Sequence, residues 1–110
     1  MTEPRLPTHL WVMAEIKRCN ALGLPTYLVR RGDAERGTVL LRIDRFALGY
    51  RLLVQARDAE GRLGWLEVGT DMAPPDATAY VDRAVARDPD LWVVEVEDRQ
   101  GRNPFAGVVL

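Results

Sequence analysis

Four short β-rich segments follow one another between residues 26 and 68, and their short connections constrain the fold most strongly. Turn-forming residues fill two of these connections, "GDAERG" at 32–37 and "DAEGRLG" at 58–64. Loops this short favour antiparallel neighbours, because a parallel pair needs a crossover of about a dozen residues or more. The sequence therefore predicts successive antiparallel strands at 26–31, 38–46, 50–57 and 65–68.

A helix is predicted before the strands, at residues 8–22. Val12, Ile16 and Cys19 fall at helical spacing and form its apolar side. Thr8 is the predicted N-cap, because a side-chain hydroxyl at that position can accept a bond from a free backbone N–H.

A second helix is predicted within residues 70–90. Two adjacent prolines stand at its start, where proline is tolerated. Ala77, Val81 and Val85 form an apolar stripe, and Pro89 ends the helix. A last strand, "LWVVEVE", follows it directly.

The order helix, four strands, helix, strand predicts an α+β fold in a single domain over residues 1–110. We expect a mainly antiparallel sheet of about five strands with both helices packed on one face. A length of 110 residues, with 47% hydrophobic and 28% charged residues, suits one globular domain. The ordered core is expected over about 8–102, with 103–110 as a tail or an edge segment.

The charges of the chain nearly balance, with 15 Lys+Arg against 16 Asp+Glu. A net charge of -1 provides no field that would attract nucleic acid, so no nucleic-acid partner is expected. No apolar run approaches the ~20 residues of a membrane-spanning helix, and no signal-peptide pattern opens the sequence. We therefore expect a cytoplasmic protein with no membrane partner.

Several catalytic residue types are missing or rare. The sequence has no serine, which excludes a serine nucleophile. One histidine, His9, and one cysteine, Cys19, are too few for a Cys/His zinc site within one chain, because such a site needs about four ligands. No cofactor or metal is predicted. This shortage argues against an enzyme without excluding one.

The stretch "DPDLWVVEVEDRQGR" combines a strand with a cluster of acids. Alternation of strand side chains puts Glu95 and Glu97 on one face, whereas Asp98 lies on the other face or has already left the strand, so the three acids are not expected to converge.

Glu95 and Glu97 allow two interpretations. They can pair with arginines of neighbouring strands, each pair contributing roughly 0.2–1 kcal/mol. They can also bind a hard cation or an anionic ligand together with those arginines. Three strand arginines are expected on the same mixed, apolar and charged sheet face: Arg42, Arg51 and Arg57.

The tetrapeptide "RRGD" opens the first long connection. Gly32 and Asp33 are typical of a turn that leaves a strand. Arg30 and Arg31, together with loop amides, are also candidates for an anion site. Both interpretations stay open at this point.

Three stretches carry a family resemblance: "LWVMAEIKRCNALGLP", "LVRRGDAERGTVLL" and "DPDLWVVEVEDRQGR". They resemble the small alphaproteobacterial proteins grouped as domain of unknown function 1491, from about Leu10 to Arg102. The last stretch is the most specific of the three, because its length and its combination of tryptophan and acids are unusual. The resemblance implies a bacterial, cytoplasmic, single-domain protein. It implies no activity, and no catalytic or ligand-binding residue carries over from it.

These observations favour a small non-enzymatic binding or assembly module, expected to form a homo-oligomer or to bind another protein through the mixed sheet face. The alternative is a small-ligand or cation-binding enzyme that uses Glu95 and Glu97, with the strand arginines binding an anionic substrate. A further acid converging on the two glutamates would favour the alternative.

Overall fold

The structure, a computed structural model, describes residues 6–106 and 108–109. The elements in chain order are α1 (Thr8–Ala21), β1 (Thr26–Arg30), β2 (Val39–Asp44), a 3₁₀ turn (Phe46–Leu48), β3 (Tyr50–Arg57), β4 (Leu63–Met72), α2 (Pro74–Arg87), β5 (Trp92–Glu97) and β6 (Val108–Val109). The predicted α+β fold and its order of elements are confirmed. β6 adds a short strand within the segment expected as a tail or an edge.

The strands form one mixed sheet in the order β1-β5-β2-β3-β4-β6. β2, β3 and β4 pair antiparallel in succession, as the short connections predicted. β5 returns from α2 and inserts between β1 and β2, antiparallel to β1 and parallel to β2. The prediction that β1 and β2 are direct neighbours is therefore wrong. The acidic stretch consequently lies inside the sheet, with β1 as an edge strand beside it.

The two helices lie on opposite faces of the sheet, so the prediction that both pack on one face is wrong. α1 packs in the core that contains Leu41 and Val94, whereas α2 packs in the core that contains Leu40 and Val93. Successive strand residues are apolar at these positions, and alternation sends them to both faces. Each face therefore carries an apolar set that one helix covers.

The larger core lies between α1 and the sheet, and it includes the fully buried Trp65 and Trp92. Phe105, from the segment expected as a tail or an edge segment, is also buried there. Its ring meets the Trp11 ring edge-on, with ring centres 5.6 Å apart. Phe105 therefore belongs to the core and packs against Trp11.

The helix ends follow the local sequence, with one correction. Thr8, the predicted N-cap, is the first residue of α1, and Pro7 occupies the cap position. The Thr8 hydroxyl donates to the Glu35 carbonyl instead. In α2, the two prolines lie in the first turn, where their missing N–H groups cost no helical bond. Within the described residues, neither helix combines the length and the apolar character needed to cross a bilayer.

Candidate functional site

The candidate site is a polar cluster around Glu95, on the sheet face that α2 covers. Because β5 lies between β1 and β2, the register places Tyr27 and Arg42 directly beside Glu95. Tyr50 at the start of β3 contributes its ring next to the Arg42 guanidinium. We name these four residues, Tyr27, Arg42, Tyr50 and Glu95, the Arg42 cluster.

Glu95 is the centre of the Arg42 cluster, and both of its carboxylate oxygens accept hydrogen bonds. Arg42 Nε donates to Oε1 at 2.6 Å, and the Tyr27 hydroxyl donates to Oε2. The Glu95 side chain is 5% exposed and the Arg42 side chain 19%. The Arg42 guanidinium carbon lies 5.6 Å from the centre of the Tyr50 ring, a cation–π distance. The predicted pairing of Glu95 with an arginine of a neighbouring strand is confirmed.

The pKa values of both tyrosines rise in this arrangement. The hydrogen bond to Glu95 raises the pKa of Tyr27 most, and burial raises it further. Burial is the main cause of the raised pKa of Tyr50, and the negative charge of Glu95 is the second. Both phenols therefore keep their protons near neutral pH and are poorly placed to act as bases, and the Tyr27 hydroxyl acts as a hydrogen-bond donor.

The other acids of the stretch do not join Glu95. Asp98 bonds with the Arg102 side chain at 2.9 Å, and this bond is the main cause of the lowered pKa of Asp98. Glu97 shares the face of Glu95, but its register partner on β2 is Asp44, a like charge. Among residues 6–106 and 108–109, no group of three or more His, Cys, Asp or Glu side chains is placed to hold a metal ion. The three acids therefore do not form one site, as alternation predicted.

Arg51 and Arg57 do not share the face of Glu95, so the predicted grouping of the three strand arginines is wrong. Arg51 lies on the α1 face and pairs with Glu67 at 2.8 Å. Arg57 donates to the Gly61 carbonyl in the turn between β3 and β4. Alternation shows which residues of one strand share a face. It does not show which face of one strand matches which face of the next, because that depends on the pairing register.

The "RRGD" stretch forms a turn packed against the start of β5. The Asp33 carboxylate accepts bonds from the backbone N–H groups two and three residues ahead, as in the predicted turn. A Cβ at Gly32 would lie 2.1 Å from a backbone oxygen, so only glycine fits there. Arg30 donates to two backbone carbonyls at 2.8 Å, and Arg31 lies over the Trp92 ring. These contacts engage both arginines within the chain.

One side-chain amide covers part of the exposed edge of β1. The Pro25 carbonyl accepts a hydrogen bond from the Glu97 N–H of β5. In an antiparallel pair, every second residue directs its backbone groups at the neighbouring strand, so Tyr27 is the next residue of β1 to do so. The backbone groups of Thr26 and Leu28 therefore point away from β5. Asn20, near the end of α1, bonds both Thr26 groups: its Nδ2 donates to the carbonyl at 2.8 Å, and its Oδ1 accepts from the N–H at 3.0 Å. The cover ends there, before Leu28.

The rest of the edge presents the Leu28 backbone between two exposed side chains. Tyr27 is 43% exposed and Val29 is 42% exposed. We name the Leu28 backbone together with Tyr27 and Val29 the β1 edge. Tyr27 and Asn20 were missed in the sequence analysis, because their roles depend on β5 lying beside β1.

Cavities open on both sides of the sheet. One of about 340 Å³ lies between β1 and α2, and Arg42 is part of its wall. Four further wall residues are apolar: Val29, Val81, Val85 and Val93. The other, of about 690 Å³, lies beside the start of α1, the loop before β2 and the turn between β3 and β4. Glu95 and Glu97 line neither of these two cavities.

The comparison with known families agrees with the fold and with the sequence resemblance. The model of the family described as "Protein of unknown function (DUF1491)" matches residues 6–106. The chain belongs to the DUF1491 family. A crystal structure of a DUF1491 family protein from Caulobacter crescentus CB15 is 38% identical to this DUF1491 chain, with a TM-score of 0.86 over 96% of this chain and 100% of that one.

Two solution structures are also similar to this DUF1491 chain. An NMR structure of a DUF1491 family protein from Caulobacter crescentus CB15 is 38% identical, with a TM-score of 0.83 over 98% of this chain and 99% of that one. Protein Atu0922 from A. tumefaciens is 22% identical, with a TM-score of 0.74 over 86% of this chain and 87% of that one, and this similarity shows a shared fold. The search of curated proteins finds no match. The function must therefore be argued from the residues of the chain itself.

Proposed function

We propose that this DUF1491 protein is a small, non-enzymatic binding or assembly module of the bacterial cytoplasm, and that it assembles with a second copy of itself through the β1 edge. The observation that carries the proposal is the difference between the charged groups beside β1 and the β1 edge itself. The charged groups beside β1 are bonded inside the chain, whereas the β1 edge offers open backbone and exposed large side chains.

The charged groups beside β1 are poorly placed for catalysis. Glu95 accepts a hydrogen bond at each oxygen and is 5% exposed. A general base must reach the proton of a substrate, and Glu95 can do so only if the Arg42 cluster opens. Arg30 is likewise held by two backbone carbonyls. These contacts support a structural role for Glu95 and Arg30.

The β1 edge has the features of a strand that accepts another strand. Edge strands pair with other chains unless charges, prolines or coverings prevent it. β1 reads "TYLVR", and its one charged residue, Arg30, is turned back onto the chain. Two copies related by a two-fold axis at Leu28 exchange its N–H and C=O bonds. This register sets Tyr27 of one copy opposite Val29 of the other, and the irregularity of β1 between Leu28 and Arg30 ends the ladder on that side.

The proposed interface is small, because Asn20 already covers Thr26 and limits the ladder on that side. Interfaces of less than about 1,200 Å² belong to weak and transient complexes. We therefore expect association at tens of micromolar protein rather than at nanomolar concentrations.

Size-exclusion chromatography with light scattering over a concentration series tests the proposal. The expected mass is 12.4 kDa in dilute solution and rises towards twice that value in concentrated solution. Val29→Lys places a charge on the β1 edge and should keep the chain monomeric. Leu66→Lys is the matched control, because Leu66 is 49% exposed on β4, near the opposite edge of the sheet from β1. A wild-type chain that stays monomeric throughout, or equal loss of association in both variants, would contradict the proposal.

A second candidate is ligand binding at Arg42, as in the small-ligand or cation-binding enzyme that would use Glu95 and Glu97. The observation in its favour is that Arg42 lines the cavity of about 340 Å³, a volume that suits a small ligand. Under this candidate, Arg42→Gln loses the binding of inorganic phosphate seen with the wild type, and circular dichroism checks that the variant is folded. Titration calorimetry that detects equal binding by wild type and variant counts against it.

A further inference from the structure

The cavity beside the start of α1 is separate from the β1 edge and from the Arg42 cluster. Its volume of about 690 Å³ falls within the ~300–1,000 Å³ of small-ligand sites. Its wall combines the apolar surfaces of Trp11 and Leu63 with the polar ends of Gln55, Arg36 and Arg57. Such a mixture is typical of a pocket that orients a ligand as well as burying it.

Trp11 is the aromatic wall of this cavity, and its ring is held in place. It stacks on Trp65 with ring centres 6.5 Å apart, and Phe105 meets it edge-on at 5.6 Å. Trp65 and Trp92 each donate the indole N–H to a backbone carbonyl. Within the described part of the chain, the Trp11 N–H has no such acceptor. A fixed ring with an N–H to offer can contact a planar ligand and also bond to it.

The charged wall residues favour an anionic group on the ligand. Arg36 and Arg57 line the cavity together with one acid, Glu35, so the wall has a net positive charge. A hydrogen bond to the turn between β3 and β4 positions Arg57. The Gln55 side-chain oxygen accepts from the Val39 N–H, which leaves its NH₂ group to donate to a ligand.

We propose that this cavity binds a small molecule with an aromatic ring and an anionic group, the ring against Trp11 and the anion beside Arg36 and Arg57. The helix start does not supply the anion site, because the N–H groups of Thr8 and His9 donate to carbonyls of the loop before β2. The two arginine side chains therefore provide the charge recognition, and their removal has a direct effect on affinity.

A matched pair of fluorescent probes separates the aromatic from the anionic requirement. 1-Anilinonaphthalene-8-sulfonate carries both groups, and N-phenyl-1-naphthylamine has the same rings without the sulfonate. We expect one molecule of the sulfonate probe to bind per folded chain. Arg36→Ala and Arg57→Ala should each weaken its binding about three- to tenfold, with less than about a twofold effect on the neutral probe. Arg87→Ala, an exposed arginine of α2, is the control and should change neither.

NMR of the indole N–H groups locates the bound probe. The Trp11 resonance, assigned by its loss in Trp11→Phe, should shift in step with binding, while the Trp92 resonance stays in place because its N–H is bonded to Asp33. Circular dichroism checks that each variant is folded. Non-saturable binding, unchanged affinity in the Arg36→Ala/Arg57→Ala double variant, or a Trp11 resonance that does not move would overturn the proposal.

Discussion

Removing Arg42 alone should destabilise the protein more than removing Arg42 together with the charge of Glu95. In Arg42→Met, the new side chain fills much of the volume, but the Glu95 carboxylate, 5% exposed, loses the cation bonded to it. Breaking a buried ion pair costs about 3–5 kcal/mol of unfolding free energy. Because Arg42 is 19% exposed, we expect a cost near the lower limit, about 3 kcal/mol.

In the double variant Arg42→Met/Glu95→Gln the uncompensated charge is gone, and the cost should fall to about 1 kcal/mol. Glu95→Gln alone completes the double-mutant cycle, and the coupling energy between the two positions should be at least about 2 kcal/mol. Urea unfolding followed by tryptophan fluorescence measures all four, and an unchanged m value shows that the unfolding transition is comparable. Additive costs, or a cost below about 1 kcal/mol for Arg42→Met, would refute the reasoning.

Three further predictions concern single side chains. The bond to Arg102 holds the pKa of Asp98 below its ordinary value of 3.8, so the stability from Asp98 is present above pH 3.8 and lost as the pH falls through the lowered pKa. Asp98→Asn should therefore have a lower free energy of unfolding than wild type at pH 7. Unfolding measured at decreasing pH should show the difference between the two proteins become smaller as Asp98 is protonated in the wild type. Asn20→Ala uncovers Thr26, so thermal unfolding should show a loss of about 1 kcal/mol and light scattering should show stronger association. Burial raises the pKa of the Cys19 thiol, so a chromogenic disulfide reagent should react slowly at neutral pH until urea unfolds the chain.

Each of these predictions has a contrary result. A pH-independent difference for Asp98→Asn would mean that the lost contact is not ionic. Unchanged association of Asn20→Ala would mean that Asn20 does not limit pairing at the sheet edge. Rapid modification of native Cys19 would mean that the core beside α1 opens easily.

The helices and most strands were predictable because local patterns determine them. The spacing of Val12, Ile16 and Cys19 gives one buried side to α1, and all three are buried. The turn residues around Gly32 and Asp33 form the turn that their residue types predict. Such signals depend on neighbours in the sequence, so they can be recognised without the fold.

The arrangement of the faces was not predictable by alternation alone, because register and strand order depend on distant pairing. The apolar runs at 39–41 and 91–94 were the signal for helices on both faces, since strands buried on both sides read as continuous apolar runs. Tyr27 and Glu95 are 68 positions apart, and they meet only because β5 inserts beside β1. The pairing of Glu95 with an arginine was predictable in kind, but the choice of Arg42 over Arg51 was not.

Hydrogen–deuterium exchange of the Leu28 backbone N–H, followed by NMR at several protein concentrations, tests most directly whether two copies meet at the β1 edge. In one copy this N–H points away from β5, whereas the Tyr27 N–H points towards β5 and should be protected at every concentration. We predict that Leu28 exchange slows as the concentration and the scattering mass rise, and that Val29→Lys removes the effect. Leu28 exchange that is equally fast in dilute and concentrated solution would contradict the β1 edge as the interface.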